Sequence, residues 1–203
     1  MEDPHDPSAH CDAHPAGMSI TLVPAGGVGE PALTQIAEIL AELVSAGAAL
    51  GWVDPPTRAD VAALLDELAA GVDGGEASVA LAFDALVGAT AVDGEPGSRR
   101  VVGIAYWRRY ARPTHRPHVD VEKVAVDPRN QGQGIGRMLM NALIASAREA
   151  EVEVITLDLR GDNTAAIALY ESLGFERYGL LPGFVAVGDR RFDTHLYALD
   201  LRG

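Results

Sequence analysis

The sequence predicts an α/β (α+β) fold: a mixed, mostly antiparallel sheet of six to seven strands with a central parallel pair, flanked by about four helices. Two observations carry this. Strand-like and helix-like periodicities follow one another in the order β-α-α-β-β-β-α-β-α-β-β, and consecutive strands in the middle of the chain require antiparallel pairing. The strand–helix–strand unit over 119–159 requires one crossover, which joins parallel strands. Helices on such a sheet then cover its faces.

Each element has a local reason. Residues 1–17 hold three prolines and no apolar periodicity, so they read as a disordered leader before a domain over 18–203. Met18–Val23 is a first strand. Leu33, Ile36, Ala37, Leu40 and Leu43/Val44 recur at helical spacing, and Pro31 suits the first turn of that helix. Gly51–Pro56 breaks the pattern. Thr57 then caps a second helix with Val61, Leu64, Leu65 and Leu68 on one face. Strands are expected over 77–87 and 100–110, separated by a Gly/Asp/Pro-rich stretch at 88–98. The strand 119–126 ends at Asp127-Pro128. A helix over 134–149 buries Ile135, Met138, Leu139, Ala142 and Leu143. A strand over 152–159 and a helix over 163–173, stopped by Gly174, precede a closing pair of strands at 175–187 and 191–201.

Composition excludes several classes. The formal charge is −13 over 203 residues, which disfavours a nucleic-acid partner. The single cysteine, Cys11, excludes an internal disulfide framework. No apolar run reaches 18 residues and the start is acidic, so neither a transmembrane helix nor a signal peptide is expected, and the cytoplasm is the default compartment. His5, His10, Cys11 and His14 lie close together in the leader. Metal binding is the sharper reading and a solvated leader the favoured one, so no metal is assigned.

The segment Gln131-Gly132-Gln133-Gly134-Ile135-Gly136-Arg137 carries the chemistry. Its three alternating glycines follow a strand and open a helix. Glycine allows the left-handed backbone of an anion-binding nest, and the helix N-terminus adds free N–H groups and partial positive charge. A diphosphate suits such a place, and Arg137 on the first turn adds a cation. A Walker loop would need Lys-Ser/Thr after the last glycine, where Arg137 and Met138 stand. The dinucleotide fingerprint fails too, because its third glycine would fall on Arg137 or Leu139. What remains is Q/R-x-x-G-x-G.

That pattern, with Val-Ala-Val-Asp-Pro (124–128) before it, resembles the acetyl-CoA-binding segment of the GNAT N-acetyltransferase superfamily. The stretch from Asn163 through Tyr170 to Phe175 resembles the same superfamily's second cofactor motif, and the likeness extends over roughly 18–201. It implies that the strands 119–126 and 152–159 splay apart and that acetyl-CoA lies between them. The pantetheine arm would bond to main-chain groups at Val124, Ala125 and Val126. The diphosphate would sit on Gln131, Gly132, Gln133, Gly134, Ile135, Gly136 and Arg137. Asn163, Ala165, Ala166 and Tyr170 would line the second wall.

Direct transfer of an acetyl group then needs a base for the amine, a donor for the oxyanion and an acid for the leaving thiolate. The resemblance implies Tyr170 as the acid and the Val126 amide as the oxyanion donor. Tyr170 stands two helical turns from Asn163 and so shares its face. For the base, Asp120 and Glu122 have equal parity on their strand and share a face. Asp120 matches the superfamily's usual glutamate, with a bridging water to make up its shorter reach. Pairing of both carboxylates with neighbouring arginines is the competing account. His115 and His118 are alternative bases. Arg108, Arg109, Arg112 and Arg116 form a basic run that suits either a solvated strand edge or a substrate carboxylate.

The acceptor is expected to be a primary amine on a small molecule. The segments 47–56 and 179–197 resemble the tabtoxin-resistance branch of acetyltransferases, which act on amino-acid-like toxins. Trp52 and the turn 188–191 are candidate pocket walls. A non-catalytic acyl-CoA-binding domain and a protein-directed acetyltransferase stay open, as does a homodimer.

Overall fold

The structure is a computed structural model, and it describes residues 17–84 and 99–202. Apart from Gly17, the leader lies outside the described residues, as do the end of the strand expected over 77–87 and the stretch 88–98.

Among the described residues, seven strands form one sheet: β1 (Met18–Leu22), β2 (Ala77–Asp84), β3 (Arg100–Arg109), β4 (His118–Val126), β5 (Val154–Arg160), β6 (Glu176–Val187) and β7 (Arg190–Asp200). Their order across the sheet is β1-β2-β3-β4-β5-β7-β6. Every neighbouring pair is antiparallel except β4–β5, the parallel pair that the crossover demanded. Among the described residues, four α-helices complete the fold: α1 (Glu30–Ser45), α2 (Arg58–Val72), α3 (Ile135–Glu149) and α4 (Thr164–Ser172).

The helix signals act as expected. Pro31 stands in the first turn of α1. Thr57 caps α2 in a reciprocal box with Asp60, so two N-terminal donors are satisfied at once. Gly174 has φ +88°, the left-handed stop after α4.

Two apolar cores sandwich the sheet. On one side α1 and α2 bury Ile36, Leu40, Val61 and Leu68 against Val79, Ile104 and Tyr106. On the other, α3 and α4 bury Leu139, Leu143 and Tyr170 against Trp107, Val119, Val121 and Ile155. The fully buried Trp107 would strand its indole N–H, and Ser146 of α3 accepts it at 2.9 Å.

β4 departs from regular pairing once. Tyr106 of β3 opposes Lys123, while the next residue, Trp107, opposes Val121. Glu122 is therefore an extra residue in β4, a β-bulge. Val119 and Val121 before it, and Val124 and Val126 after it, all face the α3 side. Asp120, Glu122 and Lys123 face the α1/α2 side: Asp120 opposes Arg108, Glu122 pairs with Arg108, and Lys123 reaches Tyr106.

Candidate active site

The parallel pairing of β4 with β5 runs from His118↔Val154 to Val121↔Leu157 and goes no further. Beyond the bulge the two strands part. The gap is a cleft of about 800 Å³, walled by Val121–Val126 on one side and Asp158–Arg160 on the other. The Asp127 N–H donates to Val102 C=O at 2.9 Å, so Asp127 and Ala125 direct their backbone groups to β3. Val124 and Val126, at alternate positions, turn theirs toward the departed β5. A strand edge thus faces the cleft, and the Gln131 amide donates to the Val126 carbonyl at 3.2 Å.

The glycine turn closes one end. Gly132 and Gly134 have φ +76° and +80°, and a Cβ on either would meet nothing within 4 Å. Their left-handed backbone is open to the cleft, as a nest for an anion requires. Gly134 caps α3, whose first free N–H groups belong to Ile135, Gly136 and Arg137. Gly136 has a further use: its missing side chain lets Leu169 of α4 pack, where a Cβ would come within 3.3 Å. The approach to the turn is anchored by Asp127. Its buried carboxylate accepts from Arg100 at 2.8 Å and from the Arg129 backbone N–H and guanidinium at 2.9 Å each. Burial opposes its charge, but these bonds and both guanidinium charges outweigh it and hold the pKa below the usual value.

Of the residues assigned to the cofactor, all but Gln133 line the cleft. Besides Gln131, two are already engaged. Arg137 donates to Ser172 of α4 at 2.7 Å, and Asn163 caps α4 by accepting from the Ala166 N–H at 3.2 Å. Tyr170 also lines the cleft, 8% exposed, with its ring 5.8 Å from Phe175. Burial pushes its pKa up to about 12, so its hydroxyl keeps its proton at neutral pH.

The carboxylates separate. Glu122 lines the cleft, and Arg108 lies 3.3 Å from it while also holding Glu67 of α2. Asp120 is not among the lining residues. It stands one step back, accepting from the hydroxyls of Thr156 and, at 3.5 Å, Tyr110. Burial raises its pKa, and the nearby charges of Asp158 and Glu122 raise it further, against the Thr156 and Tyr110 bonds. The basic run is largely structural: Arg108 is ion-paired, Arg109 ties three backbone carbonyls, and Arg116 pairs with Glu76. His115 bonds Thr114, and His118 buries its Nδ1 at the far end of β4. Neither lines the cleft. Ala48, Ala49 and Leu50 do, whereas Trp52 and the turn 188–191 do not.

Four charged lining residues, Lys123, Asp158, Arg160 and Asp162, were not assigned from the sequence, and the last two are bonded to each other. The signal for Lys123 was present: in Val-Asp-Val-Glu-Lys-Val-Ala-Val the alternation breaks at Glu-Lys, where two polar residues adjoin. That break is the bulge. Asp158 shares the face of Thr156 on β5, and nothing local marks it.

The model of the acetyltransferase (GNAT) family matches residues 74–175, half of the chain, and the chain belongs to that family. Among curated proteins it is 41% identical over 78 residues to the [ribosomal protein bS18]-alanine N-acetyltransferase of Escherichia coli K12, covering 38% of this chain and 53% of that one. It is 49% identical over 61 residues to the N-alpha-acetyltransferase RimI of Mycobacterium tuberculosis, covering 30% and 37%. The chain thus spans about half or less of the length of these relatives. Among solved structures, a protein of Acinetobacter baylyi ADP1 superposes with TM-score 0.72 at 25% identity over 92% of this chain and 94% of that one. A phosphinothricin acetyltransferase of Sinorhizobium meliloti, solved in complex with AcCoA, gives 0.70 at 22% over 91% and 88%, a likeness of fold.

Proposed function

We propose that the chain is an acetyl-CoA-dependent N-acetyltransferase that passes an acetyl group directly to a primary amine of a small molecule. The observation that carries this is the unpaired edge of Val124 and Val126, which leads straight to the open glycine turn at the N-terminus of α3. An extended arm bearing amides can pair with that edge as an added strand, and its diphosphate then meets the free N–H groups of Ile135, Gly136 and Arg137. Acetyl-CoA has this shape and charge, and it supplies the activated acyl group.

The chain's own residues do the rest. The Val126 N–H, turned into the cleft, stabilises the oxyanion. Tyr170, protonated and lining the same cleft, gives its proton to the departing sulfur. Asp120 accepts the amine's proton through a water, because it is set back from the cleft and its raised pKa makes it the better acceptor. Glu122, nearer, is held by Arg108 and serves as the alternative. Holding amine and acyl group together in the cleft supplies much of the rate.

A free-thiol release assay with acetyl-CoA against amines, amino acids, antibiotics and peptides with an N-terminal alanine tests this reading. Turnover on small amines is expected. No turnover on any member, with CoA still bound in calorimetry, would overturn it in favour of an acyl-CoA-binding domain. A second reading, acetylation of a protein's N-terminal amine, draws on the names of the two curated relatives. The likeness of 47–56 and 179–197 to tabtoxin-resistance enzymes favours the small acceptor, and turnover confined to the peptides would reverse that preference.

A further inference from the structure

We propose that Lys123 forms an anion-binding subsite on the acceptor wall of the cleft, so that the acceptor carries a carboxylate close to its reacting amine. The inference rests on the acetyl-transfer reading for the word acceptor; the anion site itself does not need it.

The chain contains 16 basic residues, of which 15 are arginine and one, Lys123, is lysine. Arginine's planar fork suits fixed carboxylate partners. That is how Arg100, Arg108, Arg116, Arg129 and Arg160 are used, each ion-paired within the fold. Lys123 differs. Among the described residues no carboxylate lies within ion-pairing distance of its Nζ. The ammonium donates to the Tyr106 hydroxyl at 2.9 Å and sits 4.5 Å from the centre of the Trp52 ring. The Gly51 backbone passes over it, close enough that a Cβ there would lie 3.7 Å from Nζ.

A half-buried ammonium whose direct contacts are a phenol and an aromatic face is costly to hold, and burial depresses its pKa, against the partial support of the Glu122 charge. The fold nonetheless directs it here. Without the bulge at Glu122, position 123 would share the parity of Val119 and Val121 and point under α3. With it, Lys123 lines the cleft beside Leu50 and Val124. Glu122, the adjacent carboxylate, pairs with Arg108, so its charge reaches Lys123 without a direct ion pair. An ammonium has three donors, and Tyr106 takes one. A carboxylate in the cleft would accept from the others and supply the missing countercharge.

The opposite wall carries the complement. Asp158 is the first residue of β5 beyond the last β4–β5 pair, lines the cleft and has no partner among the described residues. It suits the ammonium form of an incoming amine. A cation on one wall and an anion on the other match a zwitterion such as a free amino acid. A peptide N-terminus, whose neighbouring carbonyl is an amide, would leave Lys123 without its countercharge.

Labelling with [13C,15N]lysine gives one side-chain spin system, because the chain has one lysine. The intact protein is titrated with free amino acids and with their carboxamides, with and without acetyl-CoA. The amino acids should shift the Lys123 Nζ and Cε resonances and the amides should not. In thiol release, Lys123→Met should raise KM for the amino acids about 10- to 100-fold, the loss expected for one charge-assisted bond, while leaving the amides unchanged. Lys123→Arg should restore most of that loss. A lysine signal indifferent to the amino acids, or equal effects of Lys123→Met on acids and amides, overturns the proposal even if acetylation proceeds. A lysine signal that moves with the acids while no thiol appears leaves the anion site standing and removes the acetyl-transfer reading.

Discussion

Burial raises the pKa of both Tyr170 and Asp120: the Tyr170 hydroxyl keeps its proton, and Asp120 becomes the stronger base. With a pKa of about 12, Tyr170 remains a donor across the whole working range. Tyr170→Phe removes only the hydroxyl and keeps the ring beside Phe175. Turnover should fall by about 10²- to 10⁴-fold with acetyl-CoA affinity nearly intact. Calorimetry beside steady-state kinetics checks this, and an undiminished kcat would reject the acid role. As the proposed base, Asp120 would set the other limb of the pH profile. A raised carboxylate pKa means protonation, and loss of the base, at a higher pH than the usual value of about 3.9. The acid limb of kcat/KM should therefore lie above that value in the native enzyme and vanish in Asp120→Asn along with most of the rate. The same limb in Asp120→Asn would transfer the role to Glu122.

At the scale of elements, the bulge in β4 and the turn before α3 do the positioning. The bulge ends the β4–β5 pairing and reverses which residues face the α1/α2 side. The turn needs two left-handed residues, and its approach is fixed by the Asp127 bonds to Arg100 and Arg129. Gly134 separates strain from charge. Gly134→Ala has room for its Cβ, so it should cost only the left-handed backbone penalty of about 1–2 kcal/mol and keep cofactor binding measurable. Gly134→Asp adds a carboxylate where an anion is to bind and should abolish binding. Equal affinity in Gly134→Asp and Gly134→Ala would mean that the diphosphate lies elsewhere.

Across the whole molecule, what could be read from the sequence were the features with local causes. The strands and helices appear in the expected order because their periodicity, the Thr57 cap and the Gly174 stop are written within a few residues. The glycine turn and the Asn163–Tyr170 helix were legible as motifs, and the structure brings both to one cleft. What depended on pairing across strands was not. The setback of Asp120, the capture of Glu122 by Arg108 and the exposure of Asp158 follow from register, which no short window contains. The splay of β4 from β5, expected through the family resemblance and absent from any local pattern, has a mechanical consequence. The two cores share β2, β3 and β4, whereas β5, β7 and β6 join the sheet through β4 alone, and β4 and β5 are paired only as far as Val121↔Leu157. A ligand lying along Val124 and Val126 and ending on α3 replaces the missing pairing and binds only the folded chain. At 100 times its Kd, acetyl-CoA should add about 2.7 kcal/mol of stability, by mass action alone. For a domain of this size that is a rise in Tm of roughly 5–11 °C. Scanning calorimetry with acetyl-CoA should show it in the native chain and in Tyr170→Phe, and should lose it in Gly134→Asp. A shift of the same size in Gly134→Asp would show that the ligand stabilises the fold from somewhere other than the splayed strands.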